Sequence, residues 1–313
     1  MHRIAVDIQG EALTFESGRI ARQADGAVVV RYRDNVILAT AVAAPEPRPG
    51  TDFFPLTVEY RERLAASGRI PGSYQRREGR ITDHEVLASR LADRTIRPQF
   101  PDAFLNETQV LLTVLSADAA VEPESLAILS AAAALHVSSI PWSGPLAGVR
   151  IARAAGQWHL FPTRDQRASA ELDLVVGAGP AGLVMLEGQC REATEEIVLD
   201  ALERGSAACL RISAALDELR AAVGRAKNEP APVTRDEELM ERVRAFARAG
   251  IEGALAITGK TERRAALARV GAEAIEALAA EFPERTAGIA EAVEESIRAL
   301  LRQRALEGQR VDG

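Results

Sequence analysis

Residues 50–101 read GTDFFPLTVEYRERLAASGRIPGSYQRREGRITDHEVLASRLADRTIRPQFP, and three kinds of local signal follow one another along them. Residues 54–60 are apolar and β-branched enough for a strand. Residues 68–80 hold glycines and a proline, which make a loop, and that loop carries one aromatic ring among four arginines. Thr82 and Glu85 have the Thr-x-x-Glu form of a capping box. Val86, Leu87, Leu91 and Ile96 then recur at helical spacing, which predicts a helix over 83–95 ending before Pro98. From Arg61 to Arg97 nine arginines face five acids, a local excess of four positive charges in a chain whose net charge is −7. A protein that coats nucleic acid with its whole surface is thereby excluded, but a local basic patch is not.

Outward from this stretch, the first half reads as antiparallel β structure. Residues 27–32 and 36–43 flank Arg33-Asp34-Asn35 and predict a hairpin, with Asp34 and Asn35 as the residues that tolerate a turn. Further strands are expected at 109–116, 148–153 and 171–176. The last leads through the glycine-rich turn 177–182 into the apolar run 183–186, a second hairpin. An alanine-rich helix over 123–136 suits burial, and a longer one over 192–223 is expected to break near Gly205. Beyond Gly224 a polar, proline-containing connector at 226–233 gives way to Ala, Leu, Glu and Arg in amphipathic order, a small all-helical module over 234–306.

Composition narrows the class. A chain of 313 residues, 47% hydrophobic and 27% charged, has the material for about two folded domains. Its two cysteines, Cys190 and Cys209, form no Cys-x-x-Cys pattern, and no export leader or run of about 20 apolar residues is visible, so a reduced, cytoplasmic setting off the membrane is expected. The four histidines fall at no metal-ligand spacing, and neither a Gly-x-Ser-x-Gly elbow nor a Gly-x-x-x-x-Gly-Lys-Ser/Thr loop occurs. No catalytic or metal-ligating residue is therefore assigned. The loop at 68–80 is either a solvated charged turn or a surface that stacks an unpaired base on Tyr74 while guanidinium groups hold phosphates.

The whole chain resembles the amino-terminal part of bacterial polynucleotide phosphorylases. The resemblance rests on residues 50–101, above all SRLADRTIRPQFP at 89–101, and on ARQADGAVVVRYRDNVILATAVAA at 21–44. The stretch from Asn106 to Arg150, ELDLVVGAG at 171–179 and the helical module support it. It implies an α+β fold: an RNase PH-type core of mixed sheets packed with helices over 1–225, a linker at 226–233, and a small all-α helical domain over 234–306. Residues 307–313 would begin the connector to a second core, with Arg310-Val311-Asp312-Gly313 at its start. It also implies a phosphorolytic 3′-to-5′ exoribonuclease and polyribonucleotide nucleotidyltransferase of RNA degradation. Its partners would be single-stranded RNA, inorganic phosphate and nucleoside diphosphates, in a homotrimeric ring.

The resemblance places the chemistry elsewhere. The family's phosphate-binding serines, paired arginines and Mg2+-binding aspartates belong to the second core. At the corresponding first-core positions stand Glu122-Pro123-Glu124-Ser125, Asp83-His84 and an isolated Asp173 followed by Val175 where the metal strand has lysine. The two glutamates are expected to repel phosphate, and Asp173 to be a structural remnant. The family's channel loop maps onto Tyr74, Gln75, Arg76 and Arg77, with Arg80 beside them, and these are the expected RNA-binding residues; Gln75 departs from the second aromatic. Arg90, Arg94 and Arg97 share one helix face, and both an RNA contact and intramolecular salt bridges stand as readings. A free-standing, non-catalytic RNA-binding or assembly module is the alternative reading of the chain.

Overall fold

Ile4, Val6 and Ile8 alternate with outward-facing residues along His2–Ile8 (β1), and this two-residue period seats one edge of a sheet on the core. The computed structural model describes residues 1–51, 53–72, 74–229, 236–283 and 285–309, in two compact units, Met1–Pro232 and Val233–Gly313. Part of the connector read at 226–233, and Arg310 to Gly313, lie outside the described residues.

The first unit opens with a six-stranded sheet of β1, β2 (Glu11–Ser17), β3 (Gly26–Tyr32), β4 (Asn35–Ala43), β5 (Leu56–Glu62) and β6 (Thr108–Ser116), in the order β1-β2-β3-β4-β6-β5. Strands β1 and β2 meet through Gln9 and Gly10, both at positive φ, the two-residue turn that matches strand twist. The expected hairpin of β3 and β4 forms, but its left-handed residue is Arg33. Asn35 is instead buried at the start of β4, donating to Val121 O at 2.9 Å and accepting from the Asp118 N–H at 2.8 Å. Antiparallel pairing fails at one place: β5 and β6 are parallel. The helix Asp83–Ile96 (α1) packs on β5 and returns the chain between the two strands, as a parallel pair requires.

A second sheet, β7 (Ala147–Ala154), β8 (Gln157–Leu160), β9 (Leu172–Gly179) and β10 (Gly182–Cys190), is antiparallel throughout, in the order β10-β9-β7-β8. The hairpin expected at 177–182 turns only at residues 180–181. Gly177 and Gly179 are strand residues, and side chains are excluded there because a Cβ would lie 2.6 Å from Thr95 Cγ2 and from Pro145 O respectively.

Helix α2 (Ala127–Val137) has every residue buried and touches β3, β4 and β7, so it fills the space between the sheets. Its alanines let the strands come close. A Cβ at Gly26 of β3 would stand 2.0 Å from Ala134 O, and one at Gly148 of β7 would stand 2.5 Å from Ile128 Cβ. A short helix, Arg164–Ala168 (α3), precedes β9, and the long helix Glu195–Val223 (α4) packs on β7 and β9. The break expected near Gly205 does not occur. That glycine is buried where a Cβ would press on Val176 at 2.9 Å, so it serves close packing within a continuous helix.

The second unit consists, among the described residues, of three helices: Glu237–Ala254 (α5), Lys260–Leu278 (α6) and Thr286–Leu306 (α7). Leu239, Val243, Ala247 and Ile251 recur every four residues on α5 and bury against Val270, Ala274, Ile289 and Val293. Arg304 closes α5 from α7, donating to the carbonyls of Glu252 and Leu255 at 3.1 Å each. No helix among the described residues is long and apolar enough to cross a membrane.

Candidate functional site

The loop between β5 and α1 is held at both ends and open between them. At its start a 3-10 turn over Leu64–Ser67 ends on Gly68 in the left-handed region, and the Glu78 carboxylate reaches back to accept the Leu64 N–H at 3.1 Å. At its end the expected capping box is present, with the Thr82 side chain accepting from the Glu85 N–H and the Glu85 carboxylate accepting from the Thr82 N–H. Between these anchors the Tyr74 ring is fully exposed, and Gln75, Arg76, Arg77 and Arg80 are exposed beside it; Ser73 lies outside the described residues. Arg69, Arg76, Arg77 and Arg80 have no ion-pair partner among the described residues. A flat π face and four free guanidinium groups thus stand in solvent with their donors uncommitted, which suits a single-stranded polyanion with unstacked bases.

The other arginines of the basic stretch divide. Arg97 is clasped by Asp93 at 2.7 Å, donates to the carbonyls of Phe54 and Leu56 at 3.2 Å each, and lies over the Phe54 ring. Arg94 is ion-paired with Glu187, and Arg61 approaches Glu85 at 3.7 Å. Arg90 is exposed and unpaired among the described residues. The salt-bridge reading therefore fits Arg94 and Arg97, while Arg90 keeps its donors free.

Beside α1 lies a cavity of about 240 Å³ whose walls include Leu87, Ala88, Leu91 and Val175 and whose polar lining includes His84, Glu124, Arg150, Asp173 and Glu187. Arg150 of β7 forks onto both Asp173 oxygens at 2.8 Å and reaches Glu124 Oε1 at 2.6 Å. Arg167 of α3 adds a contact to Asp173 at 3.2 Å, another to Glu124 at 3.5 Å, and an ion pair with Glu122. His84 at the first turn of α1 faces Glu124 at 2.9 Å and Glu62 at 3.4 Å, and Glu62 also accepts from the Tyr60 hydroxyl at 2.6 Å. The two glutamates expected to repel phosphate are therefore neutralised by arginines and a histidine, and those cations are themselves committed. Arg150 and Arg167 escaped the sequence reading; the signal for Arg150 was that it and Arg153 are the two charges in an otherwise apolar strand, AGVRIARA.

Protonation follows the pairing. Burial alone would raise the carboxyls of Asp173 and Glu124, yet the guanidinium groups around Asp173, and His84 with Arg150 around Glu124, hold both below their ordinary values. The hydrogen bonds to Glu124 and Glu62 push His84 up to about 10, against partial burial. Since the unfolded imidazole titrates near 6.5, the stabilisation from charged His84 is complete below about pH 6.5 and disappears as pH rises through about 10. The stability gap between this chain and His84→Gln is expected to narrow from pH 7 to pH 10 in urea titrations, and a constant gap would show that the ring is not held as the cation.

The residues present do not fit a divalent cation at Asp173. Both its oxygens already accept from guanidinium groups, and a metal there would face two fixed positive charges at close range.

Along its whole length the chain is similar to known proteins. Residues 9–141 match the 3′ exoribonuclease family, domain 1, and residues 238–313 match the polyribonucleotide nucleotidyltransferase RNA binding domain. The polyribonucleotide nucleotidyltransferase of Geobacter sulfurreducens is 43% identical over 313 residues, all of this chain and 45% of that protein. That of Anaeromyxobacter sp. (strain K) is 44% identical over 272 residues, 87% of this chain and 38% of the relative. The chain thus spans less than half the length of the curated relatives it matches. The crystal structure of rice (Oryza sativa) Rrp46 superposes with a TM-score of 0.54 at 19% identity, covering 67% of this chain and 94% of that one, a likeness of fold.

Proposed function

The chain belongs to the polyribonucleotide nucleotidyltransferase family, to whose amino-terminal part it corresponds, and from that premise we propose that it guides single-stranded RNA and builds the ring of a phosphorolytic exoribonuclease. The observation that carries the reading is the loop of Tyr74, Gln75, Arg76, Arg77 and Arg80, exposed and without ion pairs among the described residues in a chain of net negative charge. In the complete enzyme, inorganic phosphate attacks the 3′-terminal phosphodiester of RNA. The bond to the preceding 3′ oxygen breaks, and a nucleoside diphosphate leaves with an RNA one residue shorter. Mg2+, held by the carboxylates of a second core, would supply charge neutralisation for that transfer; in this core Asp173 is already taken by Arg150 and Arg167. Here Arg150, Arg167 and His84 hold Glu122, Glu124 and Asp173, so the pocket keeps the fold in place and the loop meets the RNA. The ring is a homotrimer, and the enzyme works in the cytoplasm.

The test is a phosphorolysis assay of the purified 313-residue chain with single-stranded RNA, inorganic phosphate and Mg2+. RNA is expected to be retained with no release of nucleoside diphosphate. Release that tracks the protein through purification would overturn the assignment of chemistry to a second core. Loss of RNA binding in the folded chain would overturn the guiding role.

A further inference from the structure

The RNA loop is bolted at its neck to the ion-pair network of the pocket, and the joint is His84. Two ties close the neck itself. The Glu85 carboxylate accepts the Glu62 N–H at 2.9 Å from the end of β5 and the Thr82 N–H at 2.8 Å from the end of the loop, so one buried side chain holds both ends together. The Ser89 hydroxyl accepts the Tyr60 N–H at 2.9 Å one turn further along α1. His84 then joins Glu62 on the neck to Glu124 on the 3-10 turn before α2, and Glu124 is fixed in its turn by Arg150 of β7. From the loop, the chain of contacts runs unbroken through His84 into both sheets.

Resting on the RNA-guiding reading above, we infer that His84 is a positioning residue for RNA capture: by tying the loop neck to Glu124 it aims Tyr74, Arg76 and Arg77 without touching RNA itself. The pocket then has work that needs no catalysis. A loop whose ends are fixed samples fewer orientations, and the apparent affinity of a partly competent site falls by the fraction competent. With the neck tied only by Glu85 and Ser89, a competent fraction of about one third to one tenth would raise the apparent Kd about 3–10-fold.

The experiment compares the chain with His84→Ala, His84→Arg and the triple variant Tyr74→Ala, Arg76→Ala, Arg77→Ala. Binding of a fluorescent single-stranded RNA is followed across a salt series, with amide hydrogen exchange at Glu62, Leu64 and Thr82. His84→Ala should weaken binding about 3–10-fold, leave the salt slope unchanged and speed exchange at the neck. His84→Arg, whose fork can span Glu62 and Glu124, should bind as the parent does. A reduced salt slope in His84→Ala would mean that His84 meets a phosphate directly, which overturns the positioning role. Unchanged affinity in His84→Ala, alongside a loss in the triple variant, overturns the inference and leaves the loop assignment standing. Unchanged affinity in the triple variant overturns both.

Discussion

Replacing Arg150 with Met is expected to lower the stability of the first unit by about 3–5 kcal/mol, the cost of leaving buried charges without their partner. The Arg150 fork supplies two of the hydrogen bonds to Asp173 and the 2.6 Å contact to Glu124. Asp173 is almost completely buried, and Arg167 can replace neither the fork nor its planarity. Both tryptophans, Trp142 and Trp158, belong to the first unit, so urea unfolding followed by tryptophan fluorescence reads that unit and not the helical one. Acid should reduce the defect, because protonating Asp173 and Glu124 removes the unpaired charge. The parent behaves oppositely: its depressed carboxyls stabilise above their unfolded values and lose that contribution as pH falls through the folded ones. Pairing Arg150→Met with Asp173→Leu should recover part of the loss, since an apolar replacement of both partners removes the orphaned charge. A single Arg150→Met variant as stable as the parent at pH 7 would show that the network is not what holds the two sheets and α3 together. By the same geometry Asp173→Asn acts on folding, and in a complete enzyme its turnover, corrected for folded fraction, should stay close to the parent's.

The local parts of this fold were legible because their signals lie within a few residues. The Thr82 and Glu85 box, the hairpin of β3 and β4, and the alanine-rich α2 are each specified by spacing, turn chemistry or residue size over one short window. Strand β1 carries a readable alternation at Ile4, Val6 and Ile8. The parallel pairing of β5 and β6 was not legible, because nothing in either strand encodes its direction; the intervening α1 does. The loop residues Tyr74, Gln75, Arg76, Arg77 and Arg80 are exposed and carry no ion pair among the described residues. What the sequence did not display is the network of His84, Glu124, Arg150, Arg167 and Asp173, whose members come from α1, a 3-10 turn, β7, α3 and β9. Such a cluster is a product of topology, and no spacing within the sequence brings its residues together.

Removing Tyr74, Arg76 and Arg77 together should weaken single-stranded RNA binding by roughly 10–100-fold at moderate salt, and the size divides into two separable parts. Stacking of one base on an aromatic ring contributes about 1–3 kcal/mol and carries no net charge, so Tyr74→Ala alone should lower affinity by a similar factor at every salt concentration. The arginines act through phosphate. Each neutralised phosphate on a single strand contributes about 0.7 to the slope of log K against log salt, so Arg76→Ala with Arg77→Ala should flatten the slope by about 1.4. Because all three side chains are exposed and carry no ion pair among the described residues, stability should be unchanged, which keeps the binding result free of unfolding. Gln75→Tyr tests the same arithmetic in the other direction, adding a second ring beside the first and raising affinity by up to one further stacking contact, about 1–3 kcal/mol, at an unaltered salt slope. A slope that flattens while Tyr74→Ala has no effect would keep the electrostatic grip and remove base stacking from it. A slope and affinity both unmoved in the folded triple variant would take RNA away from Tyr74, Arg76 and Arg77, and the other arginines of the basic stretch without an ion pair among the described residues, Arg63, Arg69, Arg80 and Arg90, would then be the surface to test.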